Sequence, residues 1–187
     1  SMNKLFLLMG IIVSASMFAF AQSGSYEKNG YYVGFSHQQV ENGGDRKPFQ
    51  GFEGSYVRNF HRYFGAKADF SAAYYRNTTT VGNVNVQTKR DVYNYLGGIQ
   101  IKDNESESRF KPFGHALFGV GNTRNQIIST ITINQNNTGF SSAFGGGLDI
   151  KLNDKVNFRA FQVDYNPIRV NGVTDNNVRL GIGISFK

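Results

Sequence analysis

From Val178 to the end of the chain every second residue is large and apolar. Val178, Leu180, Ile182, Ile184 and Phe186 share one face, and Arg179, Gly181, Gly183, Ser185 and Lys187 share the other. A period of two is the mark of a β-strand with unlike faces. The same alternation sets Phe64, Ala66, Ala68, Phe70, Ala72 and Tyr74 against Lys67, Asp69, Ser71, Ala73 and Tyr75. It recurs where Phe144, Gly146, Leu148 and Ile150 oppose Gly145, Gly147, Asp149 and Lys151, and where Phe161, Val163 and Tyr165 oppose Gln162 and Asp164. Tyr93, Tyr95, Gly97, Ile99 and Ile101 oppose Asn94, Leu96, Gly98, Gln100 and Lys102 less cleanly. Charges fall opposite the aliphatics each time, so the apolar face suits lipid and the other a polar lumen. The pattern predicts strands near 30–40, 49–60, 63–76, 90–102, 109–122, 139–152, 156–168 and 176–187. Their expected arrangement is an all-β, eight-stranded antiparallel up-and-down transmembrane barrel. The fifth is the hardest to assign, because Pro112 lies within it and His115 fits either face.

Connection lengths orient this barrel. Links near His61-Arg62, Asp103–Ser108 and Asn153–Lys155 are short or polar, whereas Glu41–Pro48, Asn77–Lys89, Thr123–Thr138 and Val170–Asp175 are mostly longer. Short turns belong to the periplasmic side and long loops to the exterior. Fourteen rings lie mostly toward strand ends and are expected to form interfacial girdles: Tyr31, Tyr32, Tyr56, Phe60, Tyr63, Phe64, Tyr74, Tyr75, Tyr93, Tyr95, Phe110, Phe113, Phe158 and Tyr165. Arg58 and Arg159 occupy nominally outward positions near the periplasmic ends and are expected to reach headgroups as interface anchors. A soluble lipocalin-like barrel also alternates, with the rings inside. It would carry richer charge on its outer face than a chain that is 18% charged provides.

Residues 1–21 stand apart. Lys4 precedes a nearly continuous apolar run from Leu5 to Phe20, and Ala19-Phe20-Ala21 places small residues two apart, predicting an export signal cut before Gln22. Ser1 before Met2 reads as a cloning remnant. The remainder, 22–187, is one domain, and without the signal's single lysine the net charge of +7 falls to +6. That excess is spread out and forms no basic stripe for nucleic acid. The chain has no cysteine, so a closed hydrogen-bonded structure is expected in place of disulfides. Its mean hydropathy is −0.38, as strands that face lipid with alternate residues allow.

With these strands, Tyr63-Phe-Gly-Ala-Lys-Ala-Asp-Phe70, Lys111-Pro-Phe-Gly-His-Ala-Leu-Phe-Gly-Val-Gly121 and the ending Leu180-Gly-Ile-Gly-Ile-Ser-Phe186-Lys187, the chain resembles the small outer-membrane β-barrel family of OmpA and OmpX. The resemblance spans the mature chain. It implies that the last strand is read by the outer-membrane insertion machinery, with Phe186 as its aromatic and Leu180, Ile182 and Ile184 as outward companions. Lys187 after the aromatic departs from the commonest ending. OmpA continues into a peptidoglycan-binding domain, and no such tether is expected here.

Eight strands enclose a space that side chains fill, so a plugged cylinder is expected, not a general porin. Glu53, Lys67, Asp69, Asp149, Asp164 and Arg179 fall on the inward face and are expected to form a polar network, with Arg179 bridging Asp149 and Asp164. Glycines 145, 146, 147, 181 and 183 leave room beside it for a thin passage. Catalysis on such a barrel needs a histidine beside a serine. Ser36 and His37 point to opposite faces, His61 is in a turn, and His115 has no serine or acid in its own segment that forms a known acyltransferase motif. No metal, phosphate or nucleotide motif appears. No enzyme activity and no cofactor are expected.

Outside, polar loops resting on the rim are the simpler expectation. The β-branched Ile127-Ile128-Ser-Thr-Ile131-Thr-Ile133 run and Val81, Val84 and Val86 offer the alternative of hairpins extended above the membrane with open edges. Arg76, Lys89, Arg90 and Arg124 near the loop bases are candidate contacts for lipopolysaccharide phosphates. The reading is thus a monomeric, non-enzymatic protein integral to the cell outer membrane, with a structural or surface-interaction role. Its partners are lipid, lipopolysaccharide and the insertion machinery, with an unidentified extracellular ligand. A narrow channel and a soluble ligand-binding barrel are the alternatives.

Overall fold

A computed structural model describes residues 26–42, 45–81, 84–105, 107–129 and 132–187; the expected export signal lies outside them. Eight strands follow in order: β1 (Asn29–Asn42), β2 (Asp45–Asn59), β3 (Phe64–Val81), β4 (Val84–Lys102), β5 (Phe110–Ile128), β6 (Thr132–Lys151), β7 (Val156–Val170) and β8 (Val173–Phe186). Each pairs antiparallel with its neighbour, and β8 returns to β1 from Tyr31↔Phe186 to Gln39↔Val178, closing the barrel. Closure leaves no edge inside the membrane, the condition for strands in lipid.

The large apolar side chains face outward. Val33, Phe35, Tyr95, Ile101, Phe110, Phe118, Phe161, Leu180 and Ile182 are exposed, while Glu53, Lys67, Asp69, Asp149, Asp164 and Arg179 are buried. This overturns the soluble alternative, which needs the rings inside. Three rings expected in the girdles are inside as well. Tyr32 and Tyr75 each follow another tyrosine, and neighbours on a strand take opposite faces; Phe113 shares the inward parity of Lys111 and Leu117.

The β3–β4, β5–β6 and β7–β8 connections are not loops resting on the rim. β3 and β4 stay paired to Val81↔Val84, and β5 and β6 to Ile128↔Thr132. β7 and β8 pair to Val170↔Val173 around Asn171-Gly172, with φ of 50° and 83°. Positive φ at both central residues is the tight hairpin turn whose twist matches its strands. Beyond their pairing with β2 and β7, β3–β6 continue as a four-stranded sheet. β2 leaves β3 after Tyr74, and β7 leaves β6 above Phe140, so this sheet has two free edges.

One irregularity re-aims a side chain. Leu148 pairs with Phe161 but Asp149 with Arg159, and on the other side Gly183 pairs with Arg159 while Gly181 pairs with Gln162. Ala160 is the extra residue of a β-bulge. Below it the parity of β7 reverses, which turns Asn157 and Arg159 inward. Arg159 is therefore a lumen residue and not an interface anchor. Arg58 stays outside, donating from Nη1 to Asn29 Oδ1 at 2.7 Å.

Candidate functional site

The lumen is filled in layers. At its centre Arg179 reaches three carboxylates on three strands: Nη1 lies 2.9 Å from Asp69 Oδ1, Nη2 2.6 Å from Asp164 Oδ2, and Nε 3.2 Å from Glu53 Oε2. The bridge to Asp149 expected from the sequence is absent, because Asp149 lies nearer the periplasmic end. Lys67 Nζ is 3.5 Å from Asp69 Oδ2 and 3.3 Å from Nδ1 of His115, whose Nε2 is 2.9 Å from Asp164 Oδ1. His115, open to either face in the sequence, thus joins the interior.

Asp149 has its own cations. Arg159 meets both its oxygens, at 2.8 and 3.3 Å, and Lys102 Nζ is 2.7 Å from Oδ2. The Arg159 guanidinium carbon lies 4.0 Å from the ring centre of Tyr32 and 4.1 Å from that of Phe113, so cation–π attraction adds to the ion pair. Gln162 joins the two clusters. Its carbonyl accepts from Arg159 Nη1 at 2.7 Å and its amide donates to Asp164 Oδ2 at 2.8 Å. Four carboxylates (Glu53, Asp69, Asp149, Asp164) face four cations (Lys67, Lys102, Arg159, Arg179), so the formal charges cancel with His115 neutral. Balance is what makes buried charge tolerable; removing one member strands its partner.

Glycine makes the close approach possible. A Cβ on Gly181 would collide with Glu53 Oε1, and one on Gly145 would collide with the Val163 carbonyl and Asp164 Oδ1. The room that the sequence left for a passage is taken by the Glu53 carboxylate at Gly181 and by the β7 backbone together with the Asp164 carboxylate at Gly145.

Toward the exterior the network becomes uncharged. Gln38 and Asn94 donate to Asn166 Oδ1 at 2.9 and 3.2 Å, and Asn166 donates to Ser141 Oγ at 3.1 Å. Above it Val40, Phe49, Ala73, Val92 and Ile168 close the lumen with an apolar layer, flanked by Tyr75 and Val170. At the periplasmic mouth Glu27 pairs with Lys111 and Lys187, and its carbonyl accepts from Asn59 Nδ2 at 2.7 Å.

The four cations near the loop bases separate into two groups. Arg90 has inward parity; its Nε donates to Asn125 Oδ1 at 2.8 Å and its guanidinium carbon is 5.9 Å from the ring centre of Phe49. Arg76, Lys89 and Arg124 stand on the outer surface above Tyr74 and Tyr93. On β8, Leu180, Ile182 and Phe186 are exposed and Ile184 half-buried on the same outward face. His37 lies outside between Gln39 and Gln50, with ring nitrogens 2.8 Å from each amide, and His61 lies in the β2–β3 turn beside Tyr63 and Phe64.

Parity finds Gln162 and Lys102, although neither was singled out. Arg159 needed the bulge, and no glycine or proline marks Ala160 in the local sequence.

A closed barrel with an apolar exterior, a charged filled lumen and both described ends on one rim defines an integral membrane barrel of the outer-membrane class. The sequence match agrees: residues 5–186 fit the outer membrane protein beta-barrel domain, and the chain belongs to that family. It is an outer-membrane β-barrel protein. Three solved structures share the fold. Ail, the attachment invasion locus protein of Yersinia pestis, solved with the heparin analogue sucrose octasulfate, is 18% identical with a TM-score of 0.61, over 84% of this chain and 97% of its own. Neisserial surface protein A is 12% identical with a TM-score of 0.59, over 88% and 99%. OprG of Pseudomonas aeruginosa is 14% identical with a TM-score of 0.51, over 87% and 97%. No curated protein matches the sequence.

Proposed function

We propose that the protein is a non-enzymatic, sealed barrel whose role is structural and presentational: it holds the four-stranded sheet of β3–β6 above the outer membrane. The observation that carries this reading is the pairing of these strands to Val81↔Val84 and Ile128↔Thr132, over a lumen closed by ion pairs and an apolar layer. An extended polypeptide can add to a sheet edge by main-chain hydrogen bonds. The edge at Thr132–Gly139 carries no charge and no proline that would block such addition. The non-enzymatic reading rests on the histidines, none of which is paired with a serine among the described residues.

The test is single cysteines at Thr79 and Gln135, treated on intact cells with a membrane-impermeant maleimide. Labelling at both, together with no steady current from the pure protein in a planar bilayer, is the expected result. Labelling only after the outer membrane is permeabilised overturns the orientation; a steady current overturns the sealed lumen in favour of a narrow channel. The reading includes export by cleavage before Gln22, checked by the mass of the mature chain. It also includes Leu180, Ile182, Ile184 and Phe186 as the assembly signal. Phe186→Ser then lowers the folded fraction in cells while leaving refolding of the pure chain into vesicles nearly unchanged.

A further inference from the structure

We infer that Arg76, Lys89 and Arg124 form a binding site for the phosphates of a bilayer-embedded glycolipid of the outer leaflet, on the lipid-facing side of β3–β5. The register builds the site in two rows. In the lower row Tyr74 stands beside Asp91, Asp91 beside Arg124, and Arg124 beside Asn136. In the upper row Arg76 stands beside Lys89, Lys89 beside Gln126, and Gln126 beside Asn134. Three cations thus share one open depression with a single carboxylate, Asp91.

That carboxylate does not neutralise them. Asp91 Oδ1 is held by Arg76 Nη1 at 2.5 Å, and the same nitrogen donates to the carbonyls of Tyr75 and Arg90. Lys89 has no ion pair or hydrogen bond from its side chain among the described residues. Arg124 donates from Nε to Asn122 Oδ1 at 3.3 Å and stacks on Tyr93 at 5.5 Å, with no acid. Two cations therefore remain for an anionic ligand, and side-chain amides of Asn122, Gln126, Asn134 and Asn136 surround them with groups suited to sugar hydroxyls. Phosphate oxygens form the strong, charge-assisted hydrogen bonds that such cations favour.

Height selects a lipid over a soluble polyanion. Outward residues of β5 are apolar or small from Phe110 to Val120, and ten steps along a strand tilted by about 40° rise about 25 Å, the height of the lipid-facing band. Arg124 is four residues further on, about 10 Å above that band by the same geometry. The cations also sit over the tyrosines one outward step above the end of the band: Arg76 over Tyr74 at 5.7 Å and Arg124 over Tyr93. A glycolipid whose chains lie along Phe70, Tyr95 and Phe118 brings its phosphates to them sideways.

The full chain in phosphatidylcholine nanodiscs is titrated with bisphosphorylated lipid A. The double variant Lys89→Gln/Arg124→Gln is expected to bind at least tenfold more weakly, and removal of both phosphates from the lipid is expected to cost the wild type as much. Arg90→Gln, whose side chain points into the barrel mouth, is expected to bind as the wild type does. Lys89→Glu, at a side chain with no partner to lose, is a second probe and is expected to weaken binding by a similar factor. A heat-dependent gel shift shows that each variant is folded. Equal binding by the double variant, or a loss with Arg90→Gln as large as its own, overturns the site. Equally tight binding of inositol hexakisphosphate from solution overturns the choice of a lipid. The readout involves neither the sheet edges nor conductance, so the site stands or falls apart from the presentation reading.

Discussion

Arg179 and Arg159 are both buried guanidiniums in one lumen, on neighbouring strands, and they are held in different ways. Arg179 is surrounded by carboxylates from β2, β3 and β7. Arg159 has one carboxylate, shared with Lys102, and spends its two faces on the rings of Tyr32 and Phe113. The first is a hub whose loss strands several charges. The second is one of two cations on a single acid, and its stacking is as much packing as electrostatics. The difference teaches that burial alone does not rank buried charges; what matters is how many partners each would leave uncompensated.

Removing the hubs one at a time separates them. Arg179→Met leaves Glu53, Asp69 and Asp164 with one cation, Lys67, and the hydrogen bonds of His115 and Gln162, and is expected to cost about 3–5 kcal/mol or to prevent assembly. The check is loss of the heat-dependent gel shift, with the urea midpoint of any folded protein in vesicles. Deleting Ala160 is expected to come next, at about 2–4 kcal/mol, because without the extra residue Arg159 turns toward lipid and leaves Asp149. Ala160→Ser, which keeps the bulge, is expected to leave the urea midpoint nearly unchanged, and an equal effect of the two would contradict the bulge as the cause. Arg159→Met is expected to cost less, about 2 kcal/mol, since Asp149 keeps Lys102 at 2.7 Å and loses the stacked cation.

Gly181→Ala tests the hub from its wall. The new methyl meets Glu53 Oε1 and is expected to cost about 1–3 kcal/mol, with partial recovery when Glu53→Asp shortens that side chain. No recovery would mean that the backbone, not the carboxylate, sets the limit. The smallest effect is expected at the periplasmic turns. Lys151 pairs with Glu107 and Asp154 and holds both carboxyls below their ordinary range. The stability these pairs contribute is therefore present above that range and lost as the pH falls through the lowered values. Both acids are exposed, so Lys151→Gln is expected to produce a small, salt-sensitive change in the unfolding midpoint near neutral pH and none below the lowered values.

Much of the barrel was legible from period two alone. Glu53, Lys67, Asp69, Asp149, Asp164 and Arg179 share the parity of small or polar residues on their strands, and that parity is what buries them. The inward turn of Arg90 was legible in the same way, since it shares parity with Asn94 and Lys102. Its nearness to the loop base does not override that parity. The upper halves of β3–β6 were legible only as an alternative, from the β-branched residues Val81, Val84 and Val86 and the Ile127–Ile133 run, and that alternative is the one the pairing shows. Asn, Thr and Gln occupy both faces there, so no alternation marks a strand whose two sides both meet water. The tight turn at Asn171-Gly172 carried a local signal, and the length of the polar stretch around it read as a loop.

By itself the sequence determined that strands alternate, which residues oppose one another across each strand, and that the charges lie opposite the aliphatics. These are local properties, set by the two-residue repeat of an extended chain. Which acid meets which base was decided by the tertiary structure. The stagger around the closed barrel brings Arg179 to Asp69 and Glu53 across 110 and 126 residues of chain while leaving Asp149 to Arg159 and Lys102. The bulge at Ala160 was decided there too. An unpaired residue exists only relative to the partners on either side, and no strand contains that information alone.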